Sequence, residues 1–263
     1  MTVEPVELVA GDGCVLRGQR WPGPADWVVL LHDVGEDEDL DRWRPLVSHL
    51  LAQRFAVFAL DLRGHGASEG EWDDAAAVGD IVTAVRFARA AGAATVYVGA
   101  AGVSALDALR ATAVTAVEGL VLLSPRLALT PSSAVSPLSR DRPRGKAPFS
   151  PLPALGEGTG VRAEPDLRGR GVAKLFIAGA GDPALGQMID RLRNASIGWA
   201  LAVSLPTDAQ GTALLDGPWA THAREHILGF LRECRFIAHG GRRDDQRRPL
   251  PTDEMPPEED RSR

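Results

Sequence analysis

Apolar and polar positions alternate along this chain in two distinct patterns. Short, nearly unbroken apolar runs appear as WVVLLH (Trp27 to His32), FAVFALDL (Phe55 to Leu62), ATVYVGA (Ala94 to Ala100), GLVLLSP (Gly119 to Pro125), AKLFIAG (Ala173 to Gly179) and WALAVSLP (Trp199 to Pro206). Runs of this kind suit parallel strands covered on both faces. Between them the apolar residues recur at helical spacing. LDRWRPLVSHLLAQ puts Leu40, Trp43, Val47, Leu50 and Leu51 on one stripe, and DDAAAVGDIVTAVRFARAAG does the same with Val78, Ile81, Val82 and Val85. PALGQMIDRLRN and PWATHAREHILGFLREC supply later helices, with Pro183 and Pro218 near their first turns. The opening VELVAGDGCVLRGQRWPG predicts a hairpin with a Gly-Asp-Gly turn. Strand and helix alternation after an antiparallel start predicts an α/β domain: an open, mostly parallel central sheet with helices on both faces.

Two segments carry neither pattern. Residues 129–171 are dense in Pro, Ser, Gly and Arg, and predict a long flexible connection at the place where a lid would lie. Residues 239–263 are charged, rich in proline and almost free of large apolar side chains. Such a segment buries too little surface to offset its ordering entropy, so a disordered tail is expected after a domain spanning 1–238.

Composition narrows the setting. A chain of 263 residues, 44% hydrophobic, suits one domain with a sizeable core. A formal net charge of −6 argues against nucleic acid as partner. No apolar run approaches the roughly 20 residues of a membrane helix, so no membrane partner is expected. The N-terminus has no basic stretch followed by an apolar one, and Cys14 and Cys234 are too few for a disulfide framework. A cytoplasmic location is the expectation. Composition leaves the oligomeric state open.

The candidate chemistry begins at VYVGAAGVSALDAL, Val96 to Leu109, which reads as strand, tight turn and helix. Many hydrolases place a nucleophilic serine at such a turn, in the pattern G-x-S-x-G. Counting from Gly99 puts Ala101 where the serine belongs, followed by Gly102. The other pieces are a strand ending His32-Asp33-Val34, the segment DLRGHGAS (Asp61 to Ser68), a strand ending AGAGDP, and a strand ending LPTDAQGTALL. In this order they resemble the α/β-hydrolase family over roughly Val6 to Leu231. The resemblance implies a triad in chain order nucleophile, acid, histidine. The implied positions hold Ala101, Asp182 and Gln210. It also implies an oxyanion hole near His32, Asp33, Val34 and Gly102, where a carboxylate on Asp33 would oppose developing negative charge.

Alanine has no lone pair with which to attack an acyl carbon, and an amide does not shuttle a proton at neutral pH. Ser104 is expected inside the helix that follows the turn, away from a pocket. His32 is expected to orient a loop and His65 to serve its turn structurally. Gly181-Asp182-Pro183 also reads as a helix start with Asp182 as N-cap. His222-Ala-Arg-Glu225-His226 spells an inverted zinc-protease motif, but no later element supplies a third ligand, so no metal and no cofactor are expected. The acidic run Glu36 to Asp39, with Asp41, is expected to be a solvated face. Three functions follow. The first is a catalytically inactive α/β-hydrolase-fold protein that binds a small molecule in the former active-site pocket or acts in regulation. The second is an esterase or lyase with rearranged residues. The third is an interaction scaffold working through the flexible segments.

Overall fold

A computed structural model describes residues 2–127 and 171–241. Except for residues 171 and 239–241 at their edges, the connection expected over 129–171 and the tail expected over 239–263 lie outside the described residues. Among the described residues the strands are β1 (Glu4–Val9), β2 (Val15–Trp21), β3 (Asp26–Leu31), β4 (Ala56–Leu60), β5 (Thr95–Ala101), β6 (Gly119–Leu123), β7 (Ala173–Gly179) and β8 (Ala200–Leu205). They form one sheet in the order β1-β2-β4-β3-β5-β6-β7-β8. β1, β2 and β4 pair antiparallel, and all pairs from β4 onward are parallel. The hairpin closes where expected, with Gly13 at φ 90° and Ala10 N–H donating to Cys14 O. No described helix is long and apolar enough to cross a membrane.

Side chains of a strand point alternately to the two faces, and each face of this sheet is buried. Val29, Leu31, Phe58, Leu60, Val98 and Ala100 face one apolar layer with helices α2 (Asp74–Ala90), α3 (Val103–Ala111) and α4 (Pro183–Ala195). Val28, Leu30, Val57, Tyr97, Ala101 and Ile177 face the other with α1 (Arg44–Ala52) and α5 (Ala220–Ala238). This explains why the strands read as continuous apolar runs. The helix expected over residues 40–53 is divided: Leu40–Trp43 is a 3₁₀ turn, and α1 starts afterwards with Pro45 in its first turn. A proline's missing N–H costs nothing there but would break a continuous helix.

The DLRGHGAS segment is a buttress. The Asp61 carboxylate accepts from Leu40 N–H (2.8 Å) and Ala67 N–H (2.9 Å), and a Cβ on Gly66 would overlap it. Arg63 donates to both oxygens of buried Asp80 and to Asp12 in the hairpin turn. Two imidazoles then tie this segment to the loop after β3. His32 Nε2 accepts from Leu62 N–H (2.9 Å) and His65 Nε2 accepts from Gly35 N–H (3.2 Å). Both histidines therefore serve the backbone, and the loop bearing Asp33 is held from both sides.

Candidate functional site

The loops leaving the C-terminal ends of the parallel strands converge at one end of the sheet, where ligands bind in open α/β folds. Five of them matter here: Asp33–Val34 after β3, Gly102 after β5, Ser124 to Arg126 after β6, Asp182 after β7 and Gln210 after β8.

The turn after β5 lies one residue later than counting from Gly99 placed it. Ala101 is the last residue of β5, fully buried, and belongs to the apolar layer shared with α1 and α5. The residue with left-handed backbone is Gly102, at φ 58° and ψ −120°. Gly102 N–H is committed to Leu123 O (2.8 Å), whereas the next amide, Val103 N–H, points into the site.

That amide meets Asp33. Asp33 Oδ1 accepts from Val103 N–H at 2.9 Å and from its neighbour Val34 N–H at 2.7 Å. Asp33 Oδ2 accepts from Arg126, at 2.7 Å from Nη2 and 3.2 Å from Nε. A Cβ on Gly102 would overlap the carboxylate as it now sits, and the positive φ of 58° separately favours glycine there. His32 anchors the arrangement from below: its Nδ1 lies 2.5 Å from Asp33 O, the donor geometry for an Nδ1–H tautomer. The ring is fully buried, and burial lowers its pKa to about 4, so the neutral form is the one the fold holds.

Gln210 is a staple. Its Oε1 accepts from Ser124 Oγ (2.6 Å) and Gly179 N–H (3.2 Å), and its Nε2 donates to Gly179 O (3.1 Å). Ser124 Oγ accepts in turn from Gly211 N–H (2.8 Å). Ser124 is buried with φ 46°, an uncommon conformation for a residue with a side chain. Its role was not visible in the sequence, where it reads as the end of an apolar strand before Pro125. The Asp182 and Gln210 side chains share no hydrogen bond. Asp182 Oδ1 instead accepts from Ala184 and Leu185 N–H, both at 3.0 Å, as the N-cap of α4. Ser104 is buried inside α3, with its hydroxyl 2.9 Å from Ala101 O.

The acidic run lines a cavity of about 650 Å³ with Arg42, Pro45, Gly66 and Asp216. Several of its charges are used locally: Asp39 caps the 3₁₀ turn, and Arg44 pairs with Asp41 at 2.8 Å. Burial raises the pKa of Glu38 above the usual carboxylate value. On α5, His222 packs its ring against Trp219. Among the described residues, no group of three or more His, Cys, Asp or Glu is arranged to hold a metal ion.

Residues 23–147, just under half of the chain, match the family described as serine aminopeptidase, S33. A stretch of 93 residues is 36% identical to the uncharacterized protein YfhR of Escherichia coli K12, covering 34% of this chain and 33% of YfhR. The chain thus matches about a third of that relative's length. Among solved structures, an esterase of Pyrococcus furiosus, Pf2001, superposes with a TM-score of 0.65 at 18% identity, covering 89% of this chain and 91% of the esterase. An alpha-beta serine hydrolase homologue of Coxiella burnetii superposes with a TM-score of 0.59 at 11% identity, covering 89% and 97%. At such identities the likeness is one of fold.

Proposed function

From the α/β-hydrolase fold of this chain, we propose that it acts as a ligand-binding or regulatory module and does not carry out acyl transfer. One observation carries this: the Asp33 carboxylate sits on the Val34 and Val103 amides, beside a turn residue, Gly102, that has no side chain. In the family, two such amides, one from the loop after β3 and one from the residue after the nucleophile, receive the oxygen that becomes negative during acyl transfer. Here the Asp33 carboxylate occupies both donors. A substrate carbonyl would have to displace a charge-assisted contact made by an ion pair with Arg126.

The remaining groups agree with this. Gln210, at the position implied for the base, spends its amide on Ser124 and Gly179 and has no titratable proton. Asp182 uses its Oδ1 to cap α4. Loss of nucleophile or base in a serine protease costs about 10⁶ in turnover, so loss of both leaves only what binding and amides supply; here the amides are occupied as well. The test is hydrolysis of short-chain aryl esters by purified protein. The expected rate equals that of a mock purification. A rate well above it, following the protein through a sizing column, would overturn the proposal.

A further inference from the structure

The carboxylate of Asp33 is held by a complete set of donors drawn from three separate elements. Each oxygen has two: Oδ1 takes the amides of the β3 loop and of the α3 start, and Oδ2 takes two nitrogens of the Arg126 guanidinium. An ionised carboxylate offers about four lone-pair sites, so this is full occupancy. Building on the non-catalytic function above, we propose that Asp33 is a tethered ligand, an autoinhibitory contact that fills a carboxylate seat made by Val34 N–H, Val103 N–H and Arg126.

A seat differs from an ordinary ion pair in that it exists without its occupant. Here the two amides and the Arg126 backbone are fixed by bonds that do not involve the Asp33 side chain, and the guanidinium also reaches Val34 O at 3.5 Å. The β3 loop is tied through His32 to Asp33 O and through His65 to Gly35 N–H. Val103 N–H is fixed as the first residue of α3. The Arg126 backbone N–H donates to Gly102 O (3.0 Å), which pins the start of the arginine side chain to the turn itself. The floor is Gly102, whose missing side chain leaves the room the carboxylate uses, and Gly211 borders it, since a Cβ there would stand 3.8 Å from Asp33 Oδ2. Arg126 is 45% exposed and Asp33 13% exposed, so the guanidinium side is the open side. The class of ligand is therefore a small, planar carboxylate approaching past Arg126. In the native chain the tether holds its own carboxylate at a high effective concentration, which a free one does not match.

The test is chemical rescue. Asp33→Ala is titrated with sodium formate against sodium chloride at equal ionic strength, and the thermal midpoint is read. The expected result is a saturable rise of roughly 2 °C or more with formate alone, the size that binding above Kd produces in a domain of this length. Wild type, whose seat is filled, should show no such rise, and neither should Asp33→Ala/Arg126→Gln, which lacks the cation. If Asp33→Ala does not fold alone, formate but not chloride should restore its circular dichroism. Equal action of the two salts on Asp33→Ala, an equal response of the double variant, or an equal response of wild type would each overturn the proposal. Ester hydrolysis by wild type would overturn the non-catalytic function instead, so the two failures are read on different proteins.

Discussion

The Asp33 carboxylate occupies the space that a side chain on Gly102 would need. Sixty-nine positions apart in sequence, these two residues are complementary: one has no side chain, and the other reaches across the loop to fill the gap. Substitutions at the two positions are therefore coupled. Gly102→Ser places a Cβ on the carboxylate and also forces a side chain into a left-handed backbone at φ 58°. Strain and overlap together should cost about 3 kcal/mol or more in urea unfolding. In the Asp33→Gly background the overlap is gone, and a double-mutant cycle should show coupling of at least about 1 kcal/mol. Additive effects would mean that the carboxylate does not sit over the turn.

Ala101→Ser behaves differently. Its methyl belongs to the apolar layer that also holds Leu123, Ile177 and Leu214. A hydroxyl there is buried without an arranged partner and should cost about 1–2 kcal/mol. Adding Gln210→His to it should yield no esterase activity, because the new serine faces the core. Hydrolysis of aryl esters by Ala101→Ser/Gln210→His above the parent rate would return the nucleophile position to Ala101.

Gln210 holds three loops together, so its removal should be felt as instability. Gln210→Ala orphans Gly179 N–H and Ser124 Oγ at a buried junction. The expected loss is about 1–3 kcal/mol. Gln210→Glu keeps an acceptor for Ser124 and Gly179 N–H but sets a second carboxylate oxygen against Gly179 O, where Nε2 donated. It should also destabilise, and equal stability of Glu and Gln at this position in chemical denaturation would contradict the staple.

Acid should loosen the same region. His32 is held neutral, with its pKa lowered by burial from 6.5 to about 4. The unfolded chain then binds a proton that the folded chain refuses, so stability is full above pH about 6.5 and falls as pH drops towards about 4. The contribution lost over that window is up to about 3 kcal/mol. His32→Gln, whose amide can supply one donor and one acceptor, should flatten this part of the stability profile. An unchanged slope between pH 6.5 and 4 in that variant would show that other groups set the acid response.

Much of the fold was legible in the order of apolar runs, because burial on both faces forces continuous apolar strands and the Gly-Asp-Gly turn announces the hairpin. Asp182 as an N-cap was legible too, since Asp followed by Pro states a helix start chemically. The turn after β5 was misplaced by one residue because counting from Gly99 weighs spacing and ignores backbone sign. Gly102 was the available signal, being the residue in Ala100 to Ser104 that adopts positive φ without strain. Arg126 and Ser124 left no local trace. Arg126 meets Asp33 across 93 positions, and Ser124 meets Gln210 across 86, distances that only the sheet order closes.

The absence of acyl transfer is read most directly by labelling wild-type protein with a fluorophosphonate, followed by intact mass and mapping of any modified residue. The Val34 and Val103 amides are filled by Asp33, Gly102 has no nucleophile, and Gln210 cannot take a proton, so no adduct should form while a known serine hydrolase in the same tube is labelled to completion. A stoichiometric adduct on Ser104 or Ser124, abolished by Ser104→Ala or Ser124→Ala in a variant that remains folded, would show that the protein carries an active nucleophile after all.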